Sequence, residues 1–153
     1  MNWEMPKIEH LKPTIYNWIV SWPDGFVLEP ETDLGCFCYI NAKYGVEIQK
    51  GVQCGSHCSI YSHDTIGGNS GPVVIKEGTF IGTHTTILPN TVIGKSCRIG
   101  AYSLIKQGVI LTDGIVLPAY SFVKRSILTQ QDLNAFLKNK RQYNFKGLLC
   151  ARI

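Results

Sequence analysis

The chain has 153 residues, 44% of them hydrophobic and 17% charged, which is enough for one domain with a buried core. Its 15 Lys and Arg residues outnumber 11 Asp and Glu residues, and the basic residues are scattered rather than clustered. This distribution gives little support to nucleic-acid binding, although a small phosphate-bearing ligand is compatible with it. No apolar run approaches the ~18 residues that a membrane-spanning helix needs.

Residues 1–33 do not follow the repeat that governs the rest of the chain, and we expect them to form an N-terminal cap. Pro13 and Pro23 bracket residues 14–22, whose pattern fits a short helix or a strand equally well. Because this segment is rich in aromatic residues, we expect it to cover the open first coil of a repetitive fold.

Between residues 75 and 123, every sixth residue is a branched aliphatic. The series comprises Ile75, Ile81, Ile87, Ile93, Ile99, Ile105, Leu111, Leu117 and Val123. A small or β-branched residue follows each aliphatic by four positions. A period of six is too short for a helical repeat and too long for a single strand. It predicts an all-β solenoid, a parallel β-helix in which three six-residue flats form each triangular coil.

The same phase extends back from residue 75 to a predicted β-helix start at residue 34. Its earlier members are Cys36, Ala42, Ile48, Cys54 and Ile60. Counting all flats predicts between four and five coils. With this spacing Cys36 is expected to stack on Cys54. Cys58 and Cys97 take the position four residues after an aliphatic or cysteine, where a small interior side chain is expected. We therefore expect reduced cysteines in a cytoplasmic protein rather than disulfides or a zinc site.

The phase breaks once, because 15 residues separate Ile60 from Ile75 where six are expected. The nine extra residues fall within 61–74, a segment rich in glycine, which is a poor strand former. We expect this segment to project as a loop from one corner of the coil. Loops on a rigid scaffold often carry the chemistry of a protein.

The period ends after Val123, and the β-helix is predicted to end at residue 127. Thr129, with Asp132 three residues later, predicts a capped helix start, with Leu128 and Leu133 as a hydrophobic staple. We expect residues 128–153 to form this C-terminal α-helix and a tail. The helix would close the last coil or lie along one of its flats.

Four histidines are candidates for chemistry. His63 opens the projecting loop, and an imidazole held there can act as a general base. His57 and His84 fall on the same side of successive coils, so we expect them to be neighbours at the surface or in substrate binding. His10 lies in the irregular cap, where a packing or surface role is expected.

Several short motifs within 36–124 share one pattern. They are Phe80-Ile81-Gly82, Ile87-Leu88-Pro89-Asn90, Val92-Ile93-Gly94, Ile99-Gly100-Ala101 and Leu117-Pro118-Ala119-Tyr120-Ser121. This stretch resembles the hexapeptide-repeat acyltransferases, especially the small sugar acetyltransferases that use acetyl-CoA. Asn90 departs from the family's usual glycine, but asparagine tolerates the left-handed backbone that the turn requires.

The resemblance implies a left-handed coil, a homotrimer, and active sites in the groove between neighbouring coils. It also implies that His63, the residue at the family's loop position, deprotonates the acceptor. Asp64 or Asn69 would then orient the imidazole, and Asn69 would also be available to bind substrate.

The resemblance further implies acetyl-CoA as co-substrate and no metal. The backbone N–H groups of Gly82, Gly100 and Ala101 would hold the thioester oxygen and the amides of CoA. Lys124 and Arg125, at the end of the last coil, would meet its phosphates. The same two residues are also compatible with an ordinary solvated surface.

The acceptor predicted from this resemblance is the amine of a nucleotide-linked amino sugar, which would become an N-acetyl sugar for glycan biosynthesis. O-acetylation of a saccharide hydroxyl is the alternative within acyl transfer. A γ-type carbonic anhydrase shares the fold and binds its metal through three histidines. His57, His63 and His84 match that number, but their spacing along the chain differs from that of the family's ligands. A catalytically silent scaffold fits the repeat equally well.

Overall fold

In a computed structural model, residues 2–139 of the chain are described. They form a left-handed parallel β-helix of about five turns, followed by a single C-terminal helix. The predicted fold class is confirmed.

Each coil is built from three short strands. The first coil contains β1 (Ile19–Ser21), β2 (Phe26–Leu28) and β3 (Asp33–Leu34). The second contains β4 (Tyr39–Asn41), β5 (Val46–Ile48) and β6 (Gln53–Cys54). The third contains β7 (Ser59–Tyr61), the hairpin strands β8 (His63–Asp64) and β9 (Asn69–Ser70), then β10 (Val73–Ile75) and β11 (Phe80–Ile81). The fourth contains β12 (Thr86–Ile87), β13 (Thr91–Ile93) and β14 (Arg98–Ile99). The fifth contains β15 (Leu104–Ile105), β16 (Ile110–Leu111) and β17 (Val116–Leu117), and β18 (Phe122–Val123) opens a sixth.

The strands stack into three parallel sheets, which we call faces A, B and C. Face A contains β1, β4, β7, β12, β15 and β18. Face B contains β2, β5, β10, β13 and β16, and face C contains β3, β6, β11, β14 and β17. Residues of the six-residue series lie directly above one another, as Ile75 does between Ile48 and Ile93. All nine members from Ile75 to Val123 are buried, which confirms the period as the signature of the core.

The β-helix begins at Ile19, upstream of the predicted start at residue 34. Strands β1, β2 and β3 pair with β4, β5 and β6, so residues 19–34 complete a coil that the prediction had assigned to the cap. The reason is a corner two residues longer than the repeat, since eight residues separate Ile40 from Ile48 where six were expected. The aliphatic series therefore runs through Leu34 and Ile40, and Leu34 pairs with Cys54. Cys36 is exposed, and the prediction that it stacks on Cys54 is wrong.

The other cysteines of the described chain behave as core residues. Cys38, Cys54, Cys58 and Cys97 are buried, and none of them forms a disulfide. Burial raises the pKa of the Cys54 and Cys97 thiols, which keeps both in the protonated form that packs against aliphatic neighbours.

Residues 2–18 lie against the first coil. Trp18 is buried, and His10 and Pro13 form isolated bridges to Val20 and Ile19. The indole N–H of Trp3 donates a hydrogen bond to the carbonyl of Thr32 (2.9 Å). An aromatic-rich segment therefore covers apolar surface that a first coil would otherwise expose.

The C-terminal helix α1 (Gln130–Lys138) begins as the sequence predicts. Thr129 is the N-cap, and a capping box joins its hydroxyl and backbone to Asp132. Phe136 is buried and belongs to the core, so the helix packs on the last coil. Within residues 2–139, no helix is both long enough and apolar enough to cross a membrane. The tail predicted for residues 143–153 lies outside the described residues.

Candidate functional site

Two edges of the triangular prism carry the predicted site residues. The hairpin edge is the corner between faces A and B, and it comprises residues 22–25, 42–45, 62–72, 88–90, 106–109 and 124–126. The ladder edge is the corner between faces C and A, and it comprises residues 35–38, 55–58, 82–85, 100–103 and 118–121. Face A separates the two edges.

The predicted projecting loop is an antiparallel hairpin on the hairpin edge. His63 pairs with Ser70, and Asp64 pairs with Asn69. The Asp64 carboxylate accepts a hydrogen bond from the backbone N–H of Ile66 (3.1 Å), which closes the turn. The Asn69 side-chain amide donates to the carbonyl of Gly67 (3.1 Å). Both side chains are thus engaged within the hairpin, and neither forms a hydrogen bond with His63.

His63 sits at the base of this hairpin in a half-buried position. Its ring centroid lies 5.3 Å from that of Tyr44. Its Nδ1 atom is buried without a hydrogen-bond partner among the described residues. Leaving a buried polar atom unpaired costs about 1–3 kcal/mol, and such an atom in a native structure requires an explanation. An imidazole that accepts or passes a proton is one such explanation.

The base of the hairpin is fixed to the second coil through Ser62. Its buried hydroxyl donates to the carbonyl of Asn41 (2.7 Å) and accepts the backbone N–H of Tyr44 (2.9 Å). The backbone N–H of Ser62 also donates to the Asn41 carbonyl (2.9 Å). The residue immediately before His63 is therefore held on a rigid element, which positions the imidazole.

Asn90 anchors the other side of the hairpin, a role that the sequence analysis missed. Its side-chain amide donates to the carbonyl of Ser70 (2.8 Å). Its φ angle of +59° confirms the predicted left-handed backbone. A Cβ atom at Gly71 would collide with the Asn90 amide, so a larger residue there would displace the side chain that anchors the hairpin. The signal was present in the sequence, because asparagine stood where the repeat pattern favours glycine.

The ladder edge carries a column of rings from successive coils. Its members are Phe37, His57, His84, Tyr102 and Tyr120, with ring centroids 5.1, 4.5, 4.7 and 5.2 Å apart in that order. The predicted proximity of His57 and His84 is confirmed, and their rings are parallel to within 6°. All five residues have φ angles between +57° and +63°, a conformation that costs roughly 1–2 kcal/mol for a residue with a side chain.

The glycines of the ladder edge serve coil stacking. The N–H of Gly82 donates to the carbonyl of Ile99 (2.7 Å), and that of Gly100 donates to the carbonyl of Leu117 (2.9 Å). A Cβ at Gly100 would lie 2.1 Å from the backbone nitrogen of Ala119, so the next coil fills the space that a side chain would need. These two amides are not available for the predicted contact with a thioester oxygen. Of the three predicted residues, only Ala101 has an N–H that donates no hydrogen bond within the described chain.

Lys124 and Arg125 lie at the far end of the hairpin edge. Both are exposed, and both line a cavity of about 660 Å³ between the last coil and α1. The Lys124 ammonium lies 4.9 Å from the ring centroid of Phe122. The two cations are three coils beyond the hairpin, or roughly 14 Å at about 4.8 Å per coil.

The repeat itself was compared with known protein families. Residues 72–107, which begin at the end of the hairpin, match the family model described as bacterial transferase hexapeptide (six repeats). Residues 72–107 therefore carry hexapeptide repeats of the bacterial transferase type. The match and the β-solenoid are together consistent with the hexapeptide-repeat acyltransferase family, whose members commonly use acyl-CoA and are often trimeric. They support a transferase role in general and suggest acyl transfer. A search of curated proteins found no match to the chain.

The predicted site residues occupy three places. His63, Asp64 and Asn69 belong to the hairpin. His57, His84, Gly82, Gly100 and Ala101 belong to the ladder edge. Lys124 and Arg125 belong to the last coil. A strand of three residues on face A, or roughly 10 Å of chain, separates the ladder edge from the hairpin edge within one subunit.

The histidines do not converge on a common point. Within residues 2–139, no group of three or more His, Cys, Asp or Glu side chains could hold a metal ion. His57 and His84 stack together on the ladder edge, whereas His63 packs against Tyr44 on the hairpin edge. The three histidines therefore do not form a common site within one subunit.

Proposed function

We propose that this protein is an acetyl-CoA-dependent acetyltransferase that acts on the amine of a nucleotide-linked amino sugar. The observation that carries the proposal is His63, an imidazole at the base of the hairpin whose backbone is fixed through Ser62 and whose buried Nδ1 has no hydrogen-bond partner among the described residues. It lies next to the matched transferase repeat, on the only corner that departs strongly from the repeat length in the described chain.

The chemistry assigned to His63 is proton removal from the acceptor. As the amine nitrogen attacks the thioester carbonyl carbon, a C–N bond forms and the C–S bond breaks. The amine proton passes to the imidazole and then to the departing sulfur, so that CoA leaves as the thiol. A positioned general base contributes about 10²- to 10⁴-fold in rate.

The remaining residues of the hairpin would support this role. Asp64 and Asn69 close its turn through hydrogen bonds to the backbone, so they would position His63 by keeping β8 and β9 paired. Their side chains lie near the exposed tip, where an acceptor could also contact Asn69. Asp64 is thus proposed as a positioning residue.

The acyl donor would lie along the hairpin edge. Lys124 and Arg125 would bind the phosphates of CoA, roughly 14 Å from the level of His63, at about 4.8 Å per coil. Ala101, His57 and His84 lie on the other edge of face A. A neighbouring copy would have to bring them to the same donor or acceptor, which is why we propose a homotrimer with sites between subunits.

An acetyl-transfer assay tests the proposal directly. Purified protein and acetyl-CoA are incubated with a panel of nucleotide-linked amino sugars and with the matching sugars that carry a hydroxyl instead. Thiol release and product mass are then measured. We expect turnover with at least one amine, and turnover confined to the hydroxyl sugars would assign O-acetylation instead.

The His63→Ala variant is the matched control. It should lose turnover while its affinity for acetyl-CoA, measured by calorimetry, stays unchanged. Full activity in this variant would refute the assignment of His63. Absence of any CoA binding by the wild-type protein would favour a silent scaffold, and stoichiometric zinc with CO₂ hydration would favour the metal hydratase.

A further inference from the structure

A cluster of two rings and a cation lies on the hairpin edge and contacts the candidate base through one of its rings. The Lys43 ammonium is 5.4 Å from the ring centroid of Trp22 and 5.6 Å from that of Tyr44. The ring of Tyr44 lies 5.3 Å from the ring of His63. We call Trp22, Lys43 and Tyr44 the aromatic corner, and it occupies the two coils that precede the hairpin.

The aromatic corner is held in place by hydrogen bonds. The backbone N–H of Trp22 donates to Nδ1 of His10 (2.9 Å), and the His10 ring meets the Trp22 ring edge to face at 5.2 Å. Tyr44 is bonded through its backbone to Ser62, the residue before His63. Trp22 has the left-handed φ angle (+61°) that is also found at other corners of the coil, for example at Phe37 (+63°) and Tyr120 (+62°).

The charge at this corner is not neutralised by the protein. Lys7, Lys12, Lys50 and Lys95 form ion pairs with glutamates. Within residues 2–139, Lys43 forms no ion pair and contacts the two rings instead. A cation–π contact orients an ammonium without cancelling its charge, so Lys43 can still attract an anion. Trp22 and Tyr44 are 50% and 47% exposed, which leaves ring surface for a flat ligand.

An ammonium within 5.6 Å of the centroids of two half-exposed aromatic rings complements a ligand that joins phosphates to a planar base. We propose that the aromatic corner binds the nucleoside diphosphate of the acceptor, with its phosphates on Lys43 and its base against Trp22 or Tyr44. This inference rests on the proposed function and extends it by naming a subsite for the acceptor. CoA also contains a nucleotide with phosphates, but Lys124 and Arg125 offer it a separate cationic site on the far side of the hairpin. Two nucleotide-bearing substrates would then approach His63 from opposite sides.

Direct binding tests the subsite without relying on catalysis. The probes are UDP, dTDP, CDP and GDP, and CoA in a separate series, measured by calorimetry on the full-length protein. Lys43→Met removes the charge but keeps the aliphatic stem, and Lys43→Arg keeps the charge. Lys76→Met, between β10 and β11, is the matched loss of one lysine elsewhere.

We expect at least one nucleoside diphosphate to bind the wild-type protein, and Lys43→Met to weaken that binding about tenfold or more. Lys43→Arg should retain most of the affinity, Lys76→Met should leave it unchanged, and Lys43→Met should not alter CoA binding. Quenching of Trp22 fluorescence by the nucleotide should accompany binding and disappear in Trp22→Phe.

Three outcomes would overturn the subsite. These are no binding of any of the four nucleotides, equal losses in Lys43→Met and Lys76→Met, or a loss of CoA affinity in place of nucleotide affinity. The subsite and the proposed reaction can fail separately. Nucleotide binding that depends on Lys43 without any acetyl transfer would refute the reaction alone, and acetyl transfer with an unchanged acceptor KM in Lys43→Met would refute the subsite alone.

Discussion

The ladder edge and the hairpin edge belong to the same coils, but the number of residues that the chain uses to cross them differs. Across the ladder edge, consecutive core aliphatic or cysteine positions are always six residues apart, as from Ile81 to Ile87. Across the hairpin edge the intervals are eight, eight, fifteen, six and six residues in successive coils. Insertions are therefore confined to one corner.

The two edges also differ in what their side chains contact. On the ladder edge, rings stack on rings from neighbouring coils, and Gly82 and Gly100 let those coils approach. On the hairpin edge, His63 leaves a buried nitrogen unpaired and Lys43 leaves its charge without a carboxylate in the described chain. The comparison indicates that one corner maintains the stack and the other is free to carry a site. A corner can lengthen without disturbing strand register, because the chain re-enters the next face in the same phase.

The largest expected difference between the edges is catalytic. His63→Gln should lower kcat by about 10²- to 10⁴-fold, because the acceptor loses its general base. His84→Gln on the ladder edge should change kcat by less than about tenfold. Steady-state kinetics with acetyl-CoA and the best acceptor measure both. A loss of similar size in His84→Gln would show that the ladder edge takes part in the chemical step and not only in substrate binding.

The next difference concerns stability. Gly100→Ala should lower the free energy of unfolding by about 3 kcal/mol or more, because the new Cβ would collide with the backbone of the next coil. Gly108→Ala on the hairpin edge meets no atom within 4 Å and should cost only about 1 kcal/mol, owing to its φ angle of +75°. Urea unfolding of the two variants gives the comparison. Equal costs would contradict the assignment of Gly100 to coil stacking.

A third prediction concerns the cationic end of the hairpin edge. Replacing both Lys124 and Arg125 by alanine should raise the KM for acetyl-CoA roughly tenfold at low salt, and less at high salt where screening already weakens the attraction. The double variant Lys76→Ala/Lys95→Ala removes the same charge elsewhere and should have little effect. An unchanged KM in the Lys124 and Arg125 variant would remove this end of the edge from the donor site.

The smallest effect is expected within the ladder. Tyr102→Ala removes a ring that stacks on two others but keeps the unfavourable φ angle of +57°, so it should destabilise the protein by about 1 kcal/mol. Tyr102→Gly also removes the ring but relieves the backbone, and it should be close to neutral. Thermal or urea unfolding distinguishes the two. If the Tyr102→Ala variant were more stable than the Tyr102→Gly variant, the backbone at this position would not be strained. Ring stacking would then have no strain to offset.

The sequence alone determined the fold from Ile75 onward. An unbroken period of six places one aliphatic side chain inside every flat, and only a triangular coil satisfies that spacing. The insertion between Ile60 and Ile75 and the capping box at Thr129 were likewise local signals that the structure confirmed. Upstream of residue 48 the period of six predicted the wrong residues. Counting back in sixes from Ile48 gives Ala42 and Cys36, but the corner before Ile48 is two residues longer than the repeat. The stacked positions are therefore held by Ile40 and Leu34.

Only the tertiary structure decided which candidate residues meet. The sequence could place His57 beside His84, since both lie at the same step of one repeat. It could not show that the amides of Gly82 and Gly100 donate hydrogen bonds to the next coil. Nor could it show that the Tyr44 ring contacts His63 while the Lys43 ammonium lies over the Tyr44 ring. Those contacts join residues from different coils across corners of irregular length. Periodicity fixes the strands of the coil, and the side-chain contacts at its corners depend on the packing of one coil on another.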